Sequence, residues 1–377
     1  MRRASFIITA SSYKPLLCNR IFPRHSSTAL AICHAKYGDP AKVLKIQKIP
    51  LGSVYDNNVK IKFLAAPINP ADINQIQGVY PVKPIFHPEF GAIAGTEGVA
   101  EVVATGLKVK DLQVGDWVIP VEAGWGTWRD YAIAQPSDLL KLSIKAGDKV
   151  SALSAASITV NPSTAYRMLT DFVLLEPSDV VIQNGANSAV GQAVIQLAAA
   201  WGIKTVNIVR SRPDLPALVD KLKSLGATLV LTEEELATPA AKEQVKALKA
   251  PPIQLALNCV GGSNASNMAR LLGDNAHLVT YGGMSRQPLS LPASAFIFKH
   301  LTTHGYWMTR WYRTHSKQER TAMIDELFKL IRAGKLREPD AQIHDVKDTS
   351  DASQEAFTSV VGNTLQGFST GKTVLKF

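Results

Sequence analysis

Residues 177–212 constrain the fold more than any other part of the chain. An apolar run, Val180-Val181-Ile182, meets a loop of small residues from Asn184 to Gly191. Val190, Val194, Ile195, Leu197 and Ala198 then recur at helical spacing, and a second apolar run over 206–209 ends in Arg210-Ser211-Arg212. Strand, tight loop, amphipathic helix and strand make a βαβ unit, in which loop amides and the helix N-terminus can hold a pyrophosphate. Against the spacing G-x-G-x-x-G the loop offers Ala186, Ser188 and Gly191, with Gly185 in addition. Small side chains there still let the backbone approach a ligand, and Gly191 lets helix pack on strand. The end of the second strand discriminates between cofactors. A carboxylate at that point accepts from a ribose 2′-hydroxyl and repels a 2′-phosphate, whereas guanidinium groups bind that phosphate. Two arginines predict NADPH.

With 377 residues, 46% of them hydrophobic, the chain can bury a large core and is expected to form two domains. It contains no apolar run long enough to span a bilayer. Cys18, Cys33 and Cys259 are scattered and make neither a disulfide framework nor a zinc cluster. The net charge of +10 would suit a polyanionic partner, but its distribution argues otherwise. Arg2, Arg3, Lys14, Arg20, Arg24 and Lys36 all precede the first acidic residue, Asp39, and are interleaved with Ser5, Ser11, Ser12, Ser26, Ser27 and Thr28. A basic, Ser-rich, acid-free start reads as an organellar transit peptide, expected over residues 1–36, with import into the mitochondrial matrix. No motif supports a nucleic-acid partner.

Beyond residue 36 the texture is β-rich and turn-rich. Segments 59–69, 98–106, 115–121 and 128–134 are short apolar or alternating runs punctuated by Gly, Pro and Asp, as suits a strongly bent, barrel-like domain. From about Ala152 strands and helices alternate. Helices are expected near 216–225, 239–248 and 264–272, and strands near 228–231, 255–260 and 277–280. An amphipathic helix over 317–333 carries Ile324, Leu327, Leu330 and Ile331, and GKTVLKF reads as a terminal strand that returns to the first domain. The boundaries expected are 37–160 with 311–377 for the barrel domain and 161–310 for the nucleotide domain.

This organisation resembles the medium-chain dehydrogenase/reductase superfamily: an α/β protein with a Rossmann nucleotide-binding domain and a GroES-like, β-barrel-type catalytic domain. The segments NPADINQIQGVYP (69–81), GTWRDYA (126–132), ITVNPSTAYRML (158–169), QNGANSAVGQAVIQLA (183–198), YGGMS (281–285) and GYWMTRW (305–311) are similar to the mitochondrial trans-2-enoyl-thioester reductases. The resemblance implies NADPH-dependent reduction of the 2,3 double bond of an enoyl group on CoA or acyl carrier protein, and a homodimer. Zinc enzymes of the superfamily place a ligand Cys early in the barrel and a Gly-His-Glu after it. Here the first position falls within Asn69–Asp72 without cysteine, the second reads Gly95-Thr96-Glu97, and the four-cysteine lobe is absent. Catalytic zinc needs about three protein ligands, so none is expected. His87, His277, His300, His304 and His315 are isolated in sequence and read as ordinary histidines.

By resemblance Tyr80 is the proton donor; by residue type alone it is also a packed aromatic beside a proline turn. The resemblance likewise implies cofactor contacts at Asn161, at Asn187, Ser188, Ala189 and Val190, and at Arg210, Ser211 and Arg212. It adds Tyr281, Gly282, Gly283 and Met284, then Tyr306, Trp307, Met308 and Thr309, and finally Lys372, which could equally be a solvated lysine. Trp307, Trp311 and Arg310 are expected at the substrate, among Trp125, Trp128, Tyr312, Arg129 and Arg313, which could line an acyl tunnel or form an ordinary aromatic core. The competing functions are a zinc-free NADPH quinone or enone oxidoreductase, which needs no positioned α-carbon proton donor, and a non-catalytic NADPH-binding partner protein.

Overall fold

In the computed structural model, which describes residues 27–365 and 371–377, two large sheets share the chain. One is six-stranded and wholly parallel. In chain order its strands are Val180–Asn184, Lys204–Val209, Leu229–Thr232, Ile253–Asn258, Leu272–Thr280 and Thr302–Gly305. In space they run third, second, first, fourth, fifth, sixth. The order reverses beside the first strand, and ligands of such sheets bind at the carboxyl ends of the strands at that reversal. Val180, Val181, Ile182, Val206, Ile208, Leu255 and Leu257 are all buried, as a parallel sheet covered on both faces requires.

The second sheet is mostly antiparallel and strongly bent. Its path is Ala341–Asp345, Lys372–Lys376, Val59–Pro67, Val99–Thr105, Asp116–Pro120 and Leu139–Lys145, with Tyr131–Ala134 also on Val59–Pro67. The terminal strand does return to the first domain: Val374 lies opposite Pro67 and Leu375 opposite Ala66. A three-stranded sheet, Leu44–Pro50, Thr28–His34 and Ala92–Ile93, packs beside it.

The strand Thr28–His34 falls within the span expected for the leader, residues 1–36. Ala29, Ala31 and Cys33 of this strand fill one small core, Ile32 another, and the strand pairs along its whole length with Leu44–Pro50. The strand is the middle one of its three-stranded sheet. The apolar alternation of TALAICH was masked by the basic, Ser-rich stretch preceding it. Most of the expected leader, with Cys18, lies outside the described residues.

The helix Asp351–Leu365, not anticipated from the sequence, brings Phe357 edge-on to Trp128 with ring centroids 6.3 Å apart. Both rings are fully buried with Ile32, Leu44, Ile73 and Leu375. Phe357→Ala should leave a cavity there and cost about 3–5 kcal/mol of stability, read from the midpoint of denaturant unfolding.

Candidate active site

The residues expected at the cofactor collect at one edge of the parallel sheet. Asn187 to Val190 follow the first strand, Arg210 to Arg212 the second, Tyr281 to Met284 the fifth and Tyr306 to Thr309 the sixth. These are the carboxyl ends of the strands, where the backbone opens to a ligand. Ser188 caps the helix Ala189–Ala200, its Oγ accepting from Gly191 N at 3.1 Å, while Gln192 Nε2 donates to the Asn187 carbonyl. The loop is tight by necessity. A Cβ on Gly191 would stand 2.6 Å from the Ala186 carbonyl, and Gly185 has φ +59° with Cys259 Sγ 2.5 Å from where its Cβ would be. The loop's partners were not legible in the sequence. Asn184, buried, donates to Asn258 Oδ1 at 2.8 Å and Asn264 Oδ1 at 2.9 Å and accepts from Cys259 N at 2.7 Å. Met284 N and Ser285 N then bond the Cys259 and Val260 carbonyls, so one asparagine registers three strand-end loops. The Tyr281 hydroxyl is buried against Cys259 and Ser188, and burial pushes it well above the ordinary phenol range.

Asn187, Arg210, Ser211 and Arg212 line a cavity of about 90 Å³. Arg212 Nε donates to Asp214 Oδ1 at 2.6 Å, and that guanidinium holds the Asp214 carboxyl below the usual carboxylate range. The carboxylate engages the Nε edge of the fork; the Nη groups remain as donors. Positive charge and size both suit a monoester phosphate.

A buried polar cluster lies at the start of the helix Asn161–Thr170. Asn69, Asp72 and Glu97 are all buried. Glu97 Oε2 accepts from Asn69 Nδ2 at 2.9 Å, and Glu97 Oε1 accepts from Thr159 Oγ1 at 2.9 Å and Val160 N at 2.7 Å. Asn69 Oδ1 in turn accepts from Lys372 Nζ at 2.6 Å and, more weakly, from Asn161 Nδ2 at 3.5 Å. Asp72 accepts from Asn69 N and Thr96 N, each at 2.7 Å, yet burial pushes its carboxyl up to about 6. Lys372 is thus no solvated lysine: burial lowers its ammonium from the usual lysine value while the charges of Glu97 and Asp72 act against that shift. The two expected zinc-ligand positions, within Asn69–Asp72 and at Thr96, adjoin this cluster, where Thr96 N donates to Asp72. Zinc does not fit, because the carboxylate and amide are committed to each other, to protein donors and to an ammonium. Among the described residues no group of three His, Cys, Asp or Glu is placed to hold a metal.

Tyr80 and Trp307 meet at the mouth. Trp307 Nε1 donates to Tyr80 Oη at 2.8 Å, with the rings edge-to-face and their centroids 6.0 Å apart. Accepting this bond leaves the phenol O–H to donate elsewhere. Arg313 lies 5.8 Å from the Trp307 ring, and Arg310 is exposed nearby on the helix Met308–Thr314.

Several expected neighbours are placed elsewhere. Trp311, at 6% exposure, is stacked on His315 inside the largest core and does not line the mouth. Met308 and Thr309 are also buried, the former accepting from the Tyr306 hydroxyl at 3.1 Å. Trp128 is core, Tyr312 donates to the Thr159 carbonyl at 2.6 Å, and Trp125 lies against the buried Arg129 guanidinium at 4.3 Å. Their helices and turns rotate them inward, an outcome that aromatic content alone does not reveal. His277 and His304 are not isolated. The parallel fifth and sixth strands bring their rings together, with Nδ1 and Nε2 2.8 Å apart.

Comparison with known proteins matches this picture. Residues 55–144 match the family described as alcohol dehydrogenase GroES-like domain, and residues 189–329 that described as zinc-binding dehydrogenase. The chain is 46% identical over 332 residues to the mitochondrial enoyl-[acyl-carrier-protein] reductase of Homo sapiens, covering 87% of this chain and 86% of that protein. Among solved structures it is similar to the mitochondrial 2-enoyl thioester reductase Etr1p/Etr2p heterodimer from Candida tropicalis, with 36% identity and a TM-score of 0.86. It is likewise similar to the Etr1p/NADP/crotonyl-CoA complex, with 37% identity and a TM-score of 0.86; each alignment covers 93% of this chain and all of the matched chain. The chain belongs to the mitochondrial enoyl-[acyl-carrier-protein] reductase family.

Proposed function

We propose that this protein reduces the 2,3 double bond of trans-2-enoyl thioesters, on CoA or acyl carrier protein, with NADPH, in fatty acid synthesis in the mitochondrial matrix. The observation that carries the reading is the Tyr80–Trp307 hydrogen bond. Bound NADPH supplies a hydride to the β carbon. The thioester oxygen then gathers negative charge and the α carbon needs a proton. Tyr80 is the group to deliver it. Its oxygen already accepts the indole N–H, which fixes the phenol and stabilises the negative charge left when the proton departs. A quinone acceptor would need no such donor, and a non-catalytic protein would need no such pair.

The remaining residues serve binding. Arg210 and Arg212 hold the 2′-phosphate, Asn187 to Val190 the pyrophosphate, and Asn161 and Lys372 the nicotinamide end. The reductase named with NADP and crotonyl-CoA supports this cofactor and this substrate class. The relatives named as mitochondrial support the compartment. A second copy fits the exposed edge of the sixth strand, Thr302–Gly305. The helix preceding it, Ala293–Lys299, leaves Ile297 and Phe298 63% and 75% exposed, an apolar surface beside open backbone groups.

Tyr80→Phe should lower kcat for crotonyl-CoA by about 10²–10⁴ with little change in NADPH binding, and unchanged turnover would remove the proton-donor role. Replacing Arg210 and Arg212 together with alanine should raise the KM for NADPH by at least about tenfold and leave that for NADH nearly unmoved, since each lost charged hydrogen bond is worth roughly 1.5–3 kcal/mol. Equal losses with both cofactors would refute the phosphate assignment. Phe298→Asp should convert a dimer to a monomer in light scattering after gel filtration; an unaltered mass would place the interface elsewhere.

A further inference from the structure

We propose that Glu97 is a positioning residue that, through the side-chain amide of Asn69, holds the Lys372 ammonium at the nicotinamide end of the cleft. The inference rests on the NADPH-binding reading above and names a residue that reading does not use.

The argument begins with what each group is able to donate. An ionised carboxylate only accepts, so the oxygen of Glu97 that faces Asn69 compels that amide to present its NH₂ group. The amide carbonyl must then point the opposite way. It meets Lys372 Nζ at 2.6 Å and the Asn161 amide at 3.5 Å. The other oxygen of Glu97 collects Thr159 Oγ1 and Val160 N, the turn that leads into the helix Asn161–Thr170. One buried carboxylate therefore sets the orientation of Asn69, the seat of Lys372 and the start of the helix carrying Asn161. Glu97, Asn69 and Lys372 come from three places: the turn before Val99–Thr105, the N-terminus of Pro70–Ile76, and the strand Lys372–Lys376. An ammonium has three N–H donors and Asn69 takes one, so the others serve a bound ligand.

Charge supports the same arrangement. Glu97 and Asp72 are the charged groups that face Lys372 from the elements packed around it. An ammonium buried without them would give up its proton at lower pH. Glu97 thus keeps Lys372 cationic as well as in place.

Glu97→Gln is close to isosteric. It keeps an oxygen for Thr159 and Val160 but turns an NH₂ toward Asn69, whose amide is then free to flip and present NH₂ to Lys372. NADPH dissociation, followed by the fluorescence of the reduced nicotinamide with no enoyl substrate present, should weaken about tenfold, the loss of one charged hydrogen bond. The alkaline limb of the binding profile should move to lower pH, because the charge opposing deprotonation of Lys372 is gone. In a Lys372→Met background the same substitution should add nothing further. Unchanged affinity and limb, or losses that add in that background, would overturn the proposal. Should Glu97→Gln not fold, Asn69→Ser breaks the relay while leaving Glu97 on Thr159 and Val160, and the same two readouts decide. A protein that binds NADPH as expected yet reduces no enoyl thioester would defeat the proposed reaction and leave this assignment intact.

Discussion

The last strand of the chain organises the rest. Lys372–Lys376 inserts between Val59–Pro67 and Ala341–Asp345, antiparallel to the first and parallel to the second. Without it the bent sheet would present an open edge, and Val374 and Leu375 would leave two separate cores. Its first residue is Lys372, so the same pairing that closes the sheet delivers an ammonium to Asn69. Fold closure and site assembly are one event.

Burying Asp72, Glu97 and Lys372 together is costly, since each charge leaves water. The cost is offset because nearly every oxygen finds a donor: backbone amides for Asp72, and Asn69, Thr159 and Val160 for Glu97. Such a cluster tolerates one arrangement of the segments that carry it. The proposed hydride acceptor, an enoyl thioester, is already polarised, and its reduction calls for a positioned acid and a stabilised oxygen.

Much of the nucleotide half was legible from residues alone. Its strands and helices lie within a few residues of their expected places, because a buried parallel strand and an amphipathic helix each leave a local period. The barrel half was less so. Thr28–His34 was hidden by the basic stretch before it, and Leu139–Lys145 and Asp351–Leu365 were not anticipated. Trp311 and Trp128 show the limit in another way: an aromatic near a site in sequence gives no sign of which way its element faces. Gly95-Thr96-Glu97 drew notice only for the histidine it lacks, although its glutamate is the centre of the cluster.

By itself the sequence determined the βαβ unit, the preference for a 2′-phosphate and the loss of the zinc ligands, since each depends on residue type within a short window. Tertiary structure alone decided that Trp307 donates to Tyr80 across 227 positions and that Lys372 sits on Asn69 across 303. Contacts so distant along the chain leave no period or spacing to read. They come into being only when sheet closure brings the two ends of the protein together.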